Sequence, residues 1–359
     1  SVWDDEEREA LQRVIASGRF TMGEQVEAFE SEFAAYHGMK HAIMVNSGSS
    51  ANLIAVAALC NFSDKPPLKR SYRVAVPGLA WATTYAPLIQ HGLELVLLDC
   101  DDTWNAAVPK KTVVDVQLIV ACSILGNPGY LWEFRKEAER HYSYMIEDNA
   151  ESLGALTEGG RRCGTHGIMN TFSFFYSHQI SGIEGGMILT DDDECNRLCR
   201  ILRNHGWLRD PNADFENEYD FRLFGYNVRP LEMHAAVARE QLKKLDKFRE
   251  LRMENVRLFR TMTCDLPIKH QLLVGDPDPF GLPFTVASQD ARNRLALALR
   301  AEGIDCRPPG GGSFRLHRYG KKWMNQKTQN VDHIHRNGMF LGCGAFDMTE
   351  HITKAVEVM

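Results

Sequence analysis

The first 200 residues alternate short apolar runs with amphipathic stretches, and this alternation constrains the fold more than any other feature of the sequence. Seven runs have the length and composition of buried strands: 41–46, 73–78, 94–99, 117–122, 144–148, 171–175 and 186–190. Helical periodicity separates most of them, near 50–60, 81–91, 131–142 and 192–205. This order predicts an α/β fold with a seven-stranded, mostly parallel sheet covered by helices on both faces. In such sheets, ligands bind at the carboxyl ends of the strands.

The pattern changes after residue 230. Pro230 predicts the start of a long amphipathic helix that ends near Met262, because proline is tolerated in the first helical turn. A strand at 282–287, a helix at 290–302 and a Pro/Gly-rich turn at 308–312 follow. We therefore expect three parts: an N-terminal helix over 1–20, a large ligand-binding domain over 21–230, and a smaller C-terminal α+β domain over 231–359.

A second helix start is predicted near residue 21. Thr21-Met-Gly-Glu24 has the sequence of a capping box, in which the Thr hydroxyl and the Glu carboxylate each satisfy a free amide of the first turn. Val26, Phe29 and Phe33 follow at helical spacing, and His37-Gly38 ends the segment.

Composition excludes several classes of function. A net charge of −6 argues against a nucleic-acid partner. The sequence contains no apolar run of 18 residues, so we expect no membrane span. The acidic N-terminal residues lack the basic and apolar regions of a signal peptide. The nine scattered cysteines include no CxxC pair, and Cys195 and Cys199 have no third ligand nearby, so we expect free thiols, a cytoplasmic location and no metal site.

Four segments carry residues suited to chemistry. The first, Asn46-Ser-Gly-Ser-Ser-Ala-Asn52, follows a predicted strand and opens a predicted helix. Gly48 lets the backbone approach a ligand, while the amides and hydroxyls of Ser49 and Ser50 can bind an anion with help from the helix dipole. The segment predicts a phosphate site, and a serine-rich helix cap is the alternative.

The second and third segments lie at the ends of other predicted strands. Asp148 ends a buried strand and Glu151 follows three residues later, so a carboxylate there can hold a cationic ring nitrogen or a metal. The alternative is a solvated acidic loop. Trp81 follows strand 73–78, where its flat side chain can stack on a ring, although a tryptophan at such a position is more often part of the core.

The fourth segment runs from Thr171 to Gly186. An apolar strand carries Ser173 and leads into a glycine-rich turn, and His178 lies just past the strand. Taken alone, a single histidine is more often structural than catalytic.

Read together, the four segments resemble the DegT-type nucleotide-sugar aminotransferases, which are pyridoxal-phosphate enzymes with the aspartate-aminotransferase-like fold (fold type I). The resemblance covers almost the whole chain. Its motifs are Phe20-Thr-Met-Gly, SGSSAN, PGLAWATTYAP, IEDNAESLGA, TFSFFYSH with EGG, LRNHGW, GYNVRPLEM and GIDCRP.

The resemblance implies a role for each site residue. Gly48, Ser49 and Ser173 would hold the cofactor phosphate, and Trp81 would stack on the ring. Asp148 would pair with the pyridine nitrogen, while Glu151 would lie near the ring hydroxyl. Asn227 would reach the phosphate from a neighbouring subunit, which implies a homodimer with shared active sites. His205 and Arg229 are weaker candidates for binding the sugar or an amino-acid carboxylate.

One position departs from the aminotransferase pattern. Members of the family carry a cofactor-anchoring Lys six residues before the EGG glutamate, and counting back from Glu184 reaches His178. The sequence has no Lys between Lys136 and Lys243 that could replace it. Because imidazole forms no stable Schiff base, we expect an untethered cofactor, bound as pyridoxamine 5'-phosphate (PMP) rather than as anchored pyridoxal 5'-phosphate (PLP).

The exchange of Lys for His is similar to that in PMP-dependent nucleotide-sugar 3-dehydratases. This likeness implies loss of the C3 hydroxyl of a 4-keto-6-deoxy nucleotide sugar, with His178 as the base and L-glutamate restoring PMP. GDP-4-keto-6-deoxymannose is the implied substrate, in the synthesis of colitose for O-antigen lipopolysaccharide. Where these dehydratases carry two adjacent histidines, this chain has Gln179 as the second residue.

Two other functions remain as alternatives. An ordinary sugar aminotransferase would need the missing Lys, and a catalytically inactive relative would bind a nucleotide sugar without turnover. Iron–sulfur relatives that act on CDP-sugars need a clustered C-x-C motif, which this sequence lacks.

Overall fold

The computed structural model describes residues 2–108 and 115–359. Its larger sheet has seven strands in the order β1-β7-β6-β5-β4-β2-β3. In chain order they are β1 His41–Val45, β2 Arg73–Pro77, β3 Glu94–Leu98, β4 Leu118–Cys122, β5 Tyr144–Asp148, β6 Met169–Ser173 and β7 Gly186–Thr190. β7 runs antiparallel to both of its neighbours, and all other pairs are parallel. The predicted seven-stranded, mostly parallel sheet is confirmed.

Ten α-helices are described in residues 2–108 and 115–359. They are α1 Asp5–Ser17, α2 Glu24–His37, α3 Gly48–Cys60, α4 Ala82–Gln90, α5 Leu131–Arg140, α6 Asp193–Arg203, α7 Glu232–Met262, α8 Gln289–Ala301, α9 Gln329–Asn337 and α10 Thr349–Val358. The long helix predicted from Pro230 is therefore present as α7 and begins two residues later, at Glu232.

Strand β1 shows how helices come to cover both faces of the large sheet. Ile43 and Val45 pack into a core cluster with the apolar residues of α3. Met44, between them, packs into a second cluster with Phe29 and Phe33 of α2. Successive strand residues point to opposite faces, so an uninterrupted apolar strand needs a helix on each side.

A second sheet follows α7. Its strands are β8 Lys269–His270, β9 Gly281–Thr285, β10 Cys306–Arg307 and β11 Gly338–Gly342. They are antiparallel and lie in the order β10-β11-β9-β8. Phe284 and Leu341 from this sheet pack with Phe259 of α7 and Ile352 of α10 in a separate core cluster. Division of the chain into domains at residues 20 and 230 stays a proposal.

The predicted capping box at α2 is wrong. Gly23 is the N-cap residue, and no side chain of the segment caps the helix. Instead, the carboxylate of Glu232 accepts hydrogen bonds from the amides of Gly23 (2.8 Å), Gln25 (2.9 Å) and Val26 (3.0 Å). One carboxylate satisfies three free amides, whereas the Thr21 hydroxyl would satisfy one. The start of α7 is thereby tied to the start of α2.

No helix within the described residues is long and apolar enough to cross a membrane. In the same part of the chain, no three His, Cys, Asp or Glu side chains are grouped so that they could share a metal ion. All nine cysteines are described, and all have free thiols.

Candidate active site

A cavity of about 340 Å³ lies where β4, β5 and β6 end and where α3 and α4 begin. We call it the central cavity. Seven of the residues singled out from the sequence line it: Gly48, Ser49, Trp81, Asp148, Glu151, Ser173 and His178. The carboxyl ends of neighbouring parallel strands meet at one edge of a sheet, which is why residues so far apart in the chain converge here.

One end of the central cavity carries amides and hydroxyls that could bind an anion, and we call it the anion end. Ser47 caps α3 by accepting a hydrogen bond from the amide of Ser50 (3.1 Å), so Ser50 has no free amide for a ligand. The amides of Gly48 and Ser49 belong to the same first turn, where a helix offers them no internal acceptor. The hydroxyl of Ser49 lies 2.8 Å from that of Thr83. The predicted serine cap is therefore present, and it leaves Gly48 and Ser49 available for the predicted anion site, which stays a prediction.

Asp148 is oriented by three donors. Its Oδ2 accepts hydrogen bonds from Asn52 Nδ2 (2.9 Å) and Thr84 Oγ1 (2.7 Å), and its Oδ1 accepts one from the amide of Ala150 (3.2 Å). Thr171 in turn donates to Asn52 Oδ1 at 2.6 Å, which fixes the direction of the amide. Asp148 is buried, so these bonds hold its carboxylate in one orientation at the cavity wall.

Trp81 is at the cavity wall rather than in the core. It precedes α4 as the N-cap residue and is 63% exposed. A tryptophan ring with this much free surface beside a cavity can stack on a flat ligand. Gly311 lies against the indole, since a Cβ built on Gly311 would be 3.4 Å from Cε3 of Trp81.

His178 lies between two aromatic rings. Its ring centroid is 5.7 Å from that of Phe175 and 5.2 Å from that of Phe280, and both pairs meet edge to face. Burial among these groups lowers the pKa of His178 to about 4. The imidazole is therefore neutral at neutral pH, and its buried Nδ1 has no hydrogen-bond partner in the described structure.

A second residue of the cavity with a shifted pKa is Glu151. Burial raises the pKa of its carboxyl to about 7, and the charge of nearby Asp148 acts in the same direction. The amide of Leu125 donates to Glu151 Oε2 at 2.7 Å and opposes part of the shift. Leu125 adopts a left-handed backbone conformation (φ 55°), which is uncommon for a residue other than glycine.

The structure places the remaining predicted residues elsewhere. Asn227 is exposed and pairs with Asn204 through an isolated bridge. Arg229 Nη1 donates to Asn204 Oδ1 (2.8 Å) and lies 3.0 Å from His205 Nε2. Neither His205, Asn227 and Arg229 nor the buried Asn204 that connects them lines the central cavity of this chain.

Sequence reasoning missed several cavity residues. Asn52 and Thr84, which orient Asp148, lie inside motifs quoted above, at one helical turn from Gly48 and Trp81 respectively. Residues three or four apart share one face of a helix, so this spacing could have predicted that Asn52 and Thr84 face the cavity. Arg307 of β10 and Phe280 also line the cavity, and they arrive from the second sheet and its connections. Arg307 lies in the GIDCRP motif quoted above, whereas no local pattern marks Phe280.

The residues present fit pyridoxamine phosphate. A Cβ on Gly48 would be 2.5 Å from Cβ of Ser173, so only glycine permits the backbone approach that brings the helix amides to the anion end. At the other end, the oriented carboxylate of Asp148 suits a protonated ring nitrogen, and the neutral imidazole of His178 lines the cavity, where it can accept a proton.

Comparison with known proteins gives matches along the entire chain. The sequence profile of the DegT/DnrJ/EryC1/StrS aminotransferase family matches residues 2–359. A GDP-4-keto-6-deoxy-D-mannose 3-dehydratase of Yersinia pseudotuberculosis is 38% identical over 385 residues, which cover 100% of this chain and 96% of the relative.

Two solved structures are similar to this one at the same level. The E. coli GDP-4-keto-6-deoxy-D-mannose-3-dehydratase with bound hydrated PLP is 37% identical, with a TM-score of 0.93 and coverage of 100% of this chain and 97% of that chain. A mutant GDP-4-keto-6-deoxymannose-3-dehydratase with bound GDP-perosamine has the same identity of 37% and TM-score of 0.93, and covers 100% and 98% of the two chains.

Proposed function

Because this chain belongs to the DegT/DnrJ/EryC1/StrS aminotransferase family, we propose that it is a PMP-dependent 3-dehydratase of a 4-keto-6-deoxy nucleotide sugar. The observation that carries the proposal is His178, a half-buried neutral imidazole in the central cavity at the position where the aminotransferase pattern has its anchoring Lys. GDP-4-keto-6-deoxymannose is the proposed substrate, since the relatives above are named for it.

The proposed cofactor supplies an amine that condenses with the C4 ketone and a conjugated ring that carries electrons from its methylene to expel the C3 hydroxyl. The anion end, formed by Gly48, Ser49 and Ser173, binds its phosphate. Asp148 pairs with the ring nitrogen and keeps it protonated, while Trp81 covers the ring. Glu151 lies beside Asp148 and has a pKa of about 7, so its protonated form can donate a hydrogen bond to the ring hydroxyl.

His178 acts as the general base. A neutral imidazole can accept a proton at its unprotonated nitrogen, and with the proton bound it becomes the acid that assists departure of the hydroxide. Phe175 and Phe280 pack edge to face on the imidazole and shield part of it from water. The absence of a side-chain amine at this position removes a competitor for the cofactor.

The atoms balance when glutamate is the amino donor. For each C3–O bond that breaks, one glutamate is converted to 2-oxoglutarate and one ammonia is released, while the sugar loses one oxygen atom. Arg307 is the cationic side chain that reaches the central cavity from the second sheet, and we propose that it binds a glutamate carboxylate. The product would serve as precursor of a 3,6-dideoxysugar such as colitose, for O-antigen lipopolysaccharide.

We further propose a homodimer with shared sites. Asn227, His205 and Arg229 lie outside their own cavity, and the adjoining loop exposes Tyr219 (66%), Phe221 (59%) and Phe224 (104%). Exposed aromatic side chains in such number are typical of a protein interface. In a dimer, this surface would bring Asn227 to the phosphate of the partner subunit's cofactor. The free thiols support a reducing compartment, and we propose a cytoplasmic enzyme.

The direct test incubates purified protein with PLP, glutamate and GDP-4-keto-6-deoxymannose, beside the corresponding CDP-sugar. We expect ammonia and 2-oxoglutarate in equal amounts and a product lighter by one oxygen atom. His178→Asn should lower kcat by roughly 10²–10⁴-fold, the usual contribution of a general base. An amino sugar formed without ammonia would identify an aminotransferase, and borohydride fixation of PLP to the protein would point to the same conclusion.

A further inference from the structure

Gln179 follows His178 directly, but its side chain is directed away from the central cavity. It is 3% exposed, and its Nε2 donates hydrogen bonds to the backbone carbonyls of Glu151 and of Asp278 (3.2 Å for the latter). Its Oε1 is buried without a partner in the described structure. The amide therefore acts only as a donor, and it joins the loop of His178 to two other segments.

A buried ion pair holds the same loop from the other side. Arg252 of α7 binds the carboxylate of Asp278 through Nε (2.7 Å) and Nη2 (2.9 Å), and both residues are buried. Its Nη1 donates to the backbone carbonyl of Gln179 at 3.2 Å. Gln179 is thus fixed at both its side chain and its backbone.

The segment after Asp278 connects these contacts to both titratable cavity groups. The Phe280 ring packs edge to face on His178, and the Phe280 amide donates to the carbonyl of Leu125 at 3.1 Å. The amide of Leu125 in turn binds the Glu151 carboxyl. The contacts form a closed circuit that begins and ends at Gln179.

We propose that Gln179 is a positioning residue, whose amide sets the His178 imidazole relative to the Glu151 carboxyl. It does so by holding Asp278, and hence Phe280, against the imidazole. A neutral amide makes these two bonds without adding a second titratable group beside the base, as an adjacent histidine would. This inference rests on the proposed role of His178 in dehydration.

The test replaces the donor while keeping the length of the side chain, with Gln179→Met. The imidazole of His178 is followed by NMR titration of the cofactor-free protein, and its signal is assigned by its loss in His178→Asn. We expect the pKa of His178 to rise from about 4 toward 6.5, because water enters as Phe280 moves away. In turnover, kcat should fall at least about tenfold, with little change in the KM of the nucleotide sugar. The acid limb of the pH profile of kcat should move to higher pH, because the base is then protonated at a higher pH.

Gln271→Met is the matched control. Gln271 is 1% exposed, donates to the carbonyls of Thr103 (2.7 Å) and Ile124 (3.2 Å), and also has an unpartnered Oε1. It should lose a similar amount of thermal stability but keep the His178 titration and the acid limb. Gln179→Asn, which retains the amide with a shorter reach, is measured in the same way if Gln179→Met does not fold.

An unchanged His178 pKa and acid limb in a folded Gln179 variant would overturn the proposal, as would an equal shift in Gln271→Met. The titration needs no turnover. A wild-type protein that releases no ammonia would therefore contradict the proposed function, while leaving the positioning role to be decided by the NMR result.

Discussion

Gly48 and Ser173 are in such close contact that a Cβ on Gly48 would lie 2.5 Å from Cβ of Ser173 and 3.1 Å from its Cα. The first turn of α3 therefore packs directly against Ser173, the last residue of β6. The Cβ and Cα atoms of Ser173 are fixed by the strand backbone and cannot move aside as the end of a flexible side chain can, so this contact sets the width of the anion end of the central cavity.

We predict that Gly48→Ala weakens cofactor binding. The added methyl must push α3 away from β6, and overpacking of this kind costs roughly 1–3 kcal/mol. Loss of 1.4 kcal/mol in binding corresponds to about a tenfold higher Kd for PMP. Fluorescence titration of the cofactor-free protein measures this Kd. Gly159→Ala is the control, because a Cβ at Gly159 meets no atom within 4 Å. Equal affinities of the two variants would contradict the prediction.

The sequence predicted the large sheet well because its strands are apolar on both faces. The start of β6 was predicted at Thr171 and lies at Met169, a difference at an element end. Side-chain contacts between segments far apart in the chain, in contrast, were not predicted. Glu232 caps α2 from 209 residues away, and Thr84 orients Asp148 across 64 residues. No local pattern encodes such pairs, because each depends on how helices pack onto the finished sheet.

The same distinction separates the predicted site residues. Asp148 is the last residue of β5, and Trp81 and His178 lie a few residues past the ends of β2 and β6. The rule that ligands bind at the carboxyl ends therefore placed all three at the cavity. Arg307 belongs to the second sheet, and its approach to the cavity depends on how that sheet packs on the first. Asn227 is a residue whose predicted role requires a second subunit, which one chain's sequence implies only through resemblance.

Glu151 should make the cofactor-free protein less stable as the pH rises. Its pKa is raised from 4.5 to about 7, so between these values the folded protein retains a proton that the unfolded chain releases. The contribution to stability is present below the unfolded pKa and is lost as the pH rises through the folded one. Glu151→Gln removes this loss and still offers an oxygen to the Leu125 amide.

We therefore expect Glu151→Gln to exceed the wild type in melting temperature at pH 8, by the equivalent of at most about 3 kcal/mol, and to match it near pH 4.5. Thermal melts across this range provide the measurement. Exposed Glu158, changed to Gln, should show no such divergence. Parallel curves for the wild type and Glu151→Gln would show that the Glu151 carboxyl titrates normally.

Arg307 should act on the glutamate half of the reaction. It lines the central cavity from β10. Its Nε lies 3.2 Å from Asp305 Oδ2, and the guanidinium group has further N–H donors that can bind a carboxylate. Arg307→Gln removes a charged donor to a carboxylate, worth roughly 1.5–3 kcal/mol, and should raise the KM for glutamate by about tenfold or more.

Stopped-flow measurement of each half-reaction separates the two substrates. With PMP already bound, a single turnover of the nucleotide sugar by Arg307→Gln should proceed near the wild-type rate. Arg294→Gln, on the exposed side of α8, controls for a general change of charge. If the sugar half-reaction failed instead of the glutamate half, Arg307 would be assigned to the substrate diphosphate.

The position of Asn227 predicts restoration of activity between two inactive variants. Asn227 is exposed outside its own cavity, while its neighbour Val228 accepts a hydrogen bond from the amide of Asn46 (3.1 Å), just before the cap of α3. Asn227→Asp would place a carboxylate beside the phosphate of the partner subunit's cofactor, and like charges repel. His178→Asn removes the base of its own cavity.

When the two variants are mixed and allowed to exchange subunits, each heterodimer contains one site with both residues intact. Random exchange makes half of the dimers mixed, so activity should return to about a quarter of the wild-type value. Each variant alone stays inactive and serves as the control. If both residues acted within one chain, every site in the mixed dimer would carry a defect, and the mixture would remain as inactive as its components.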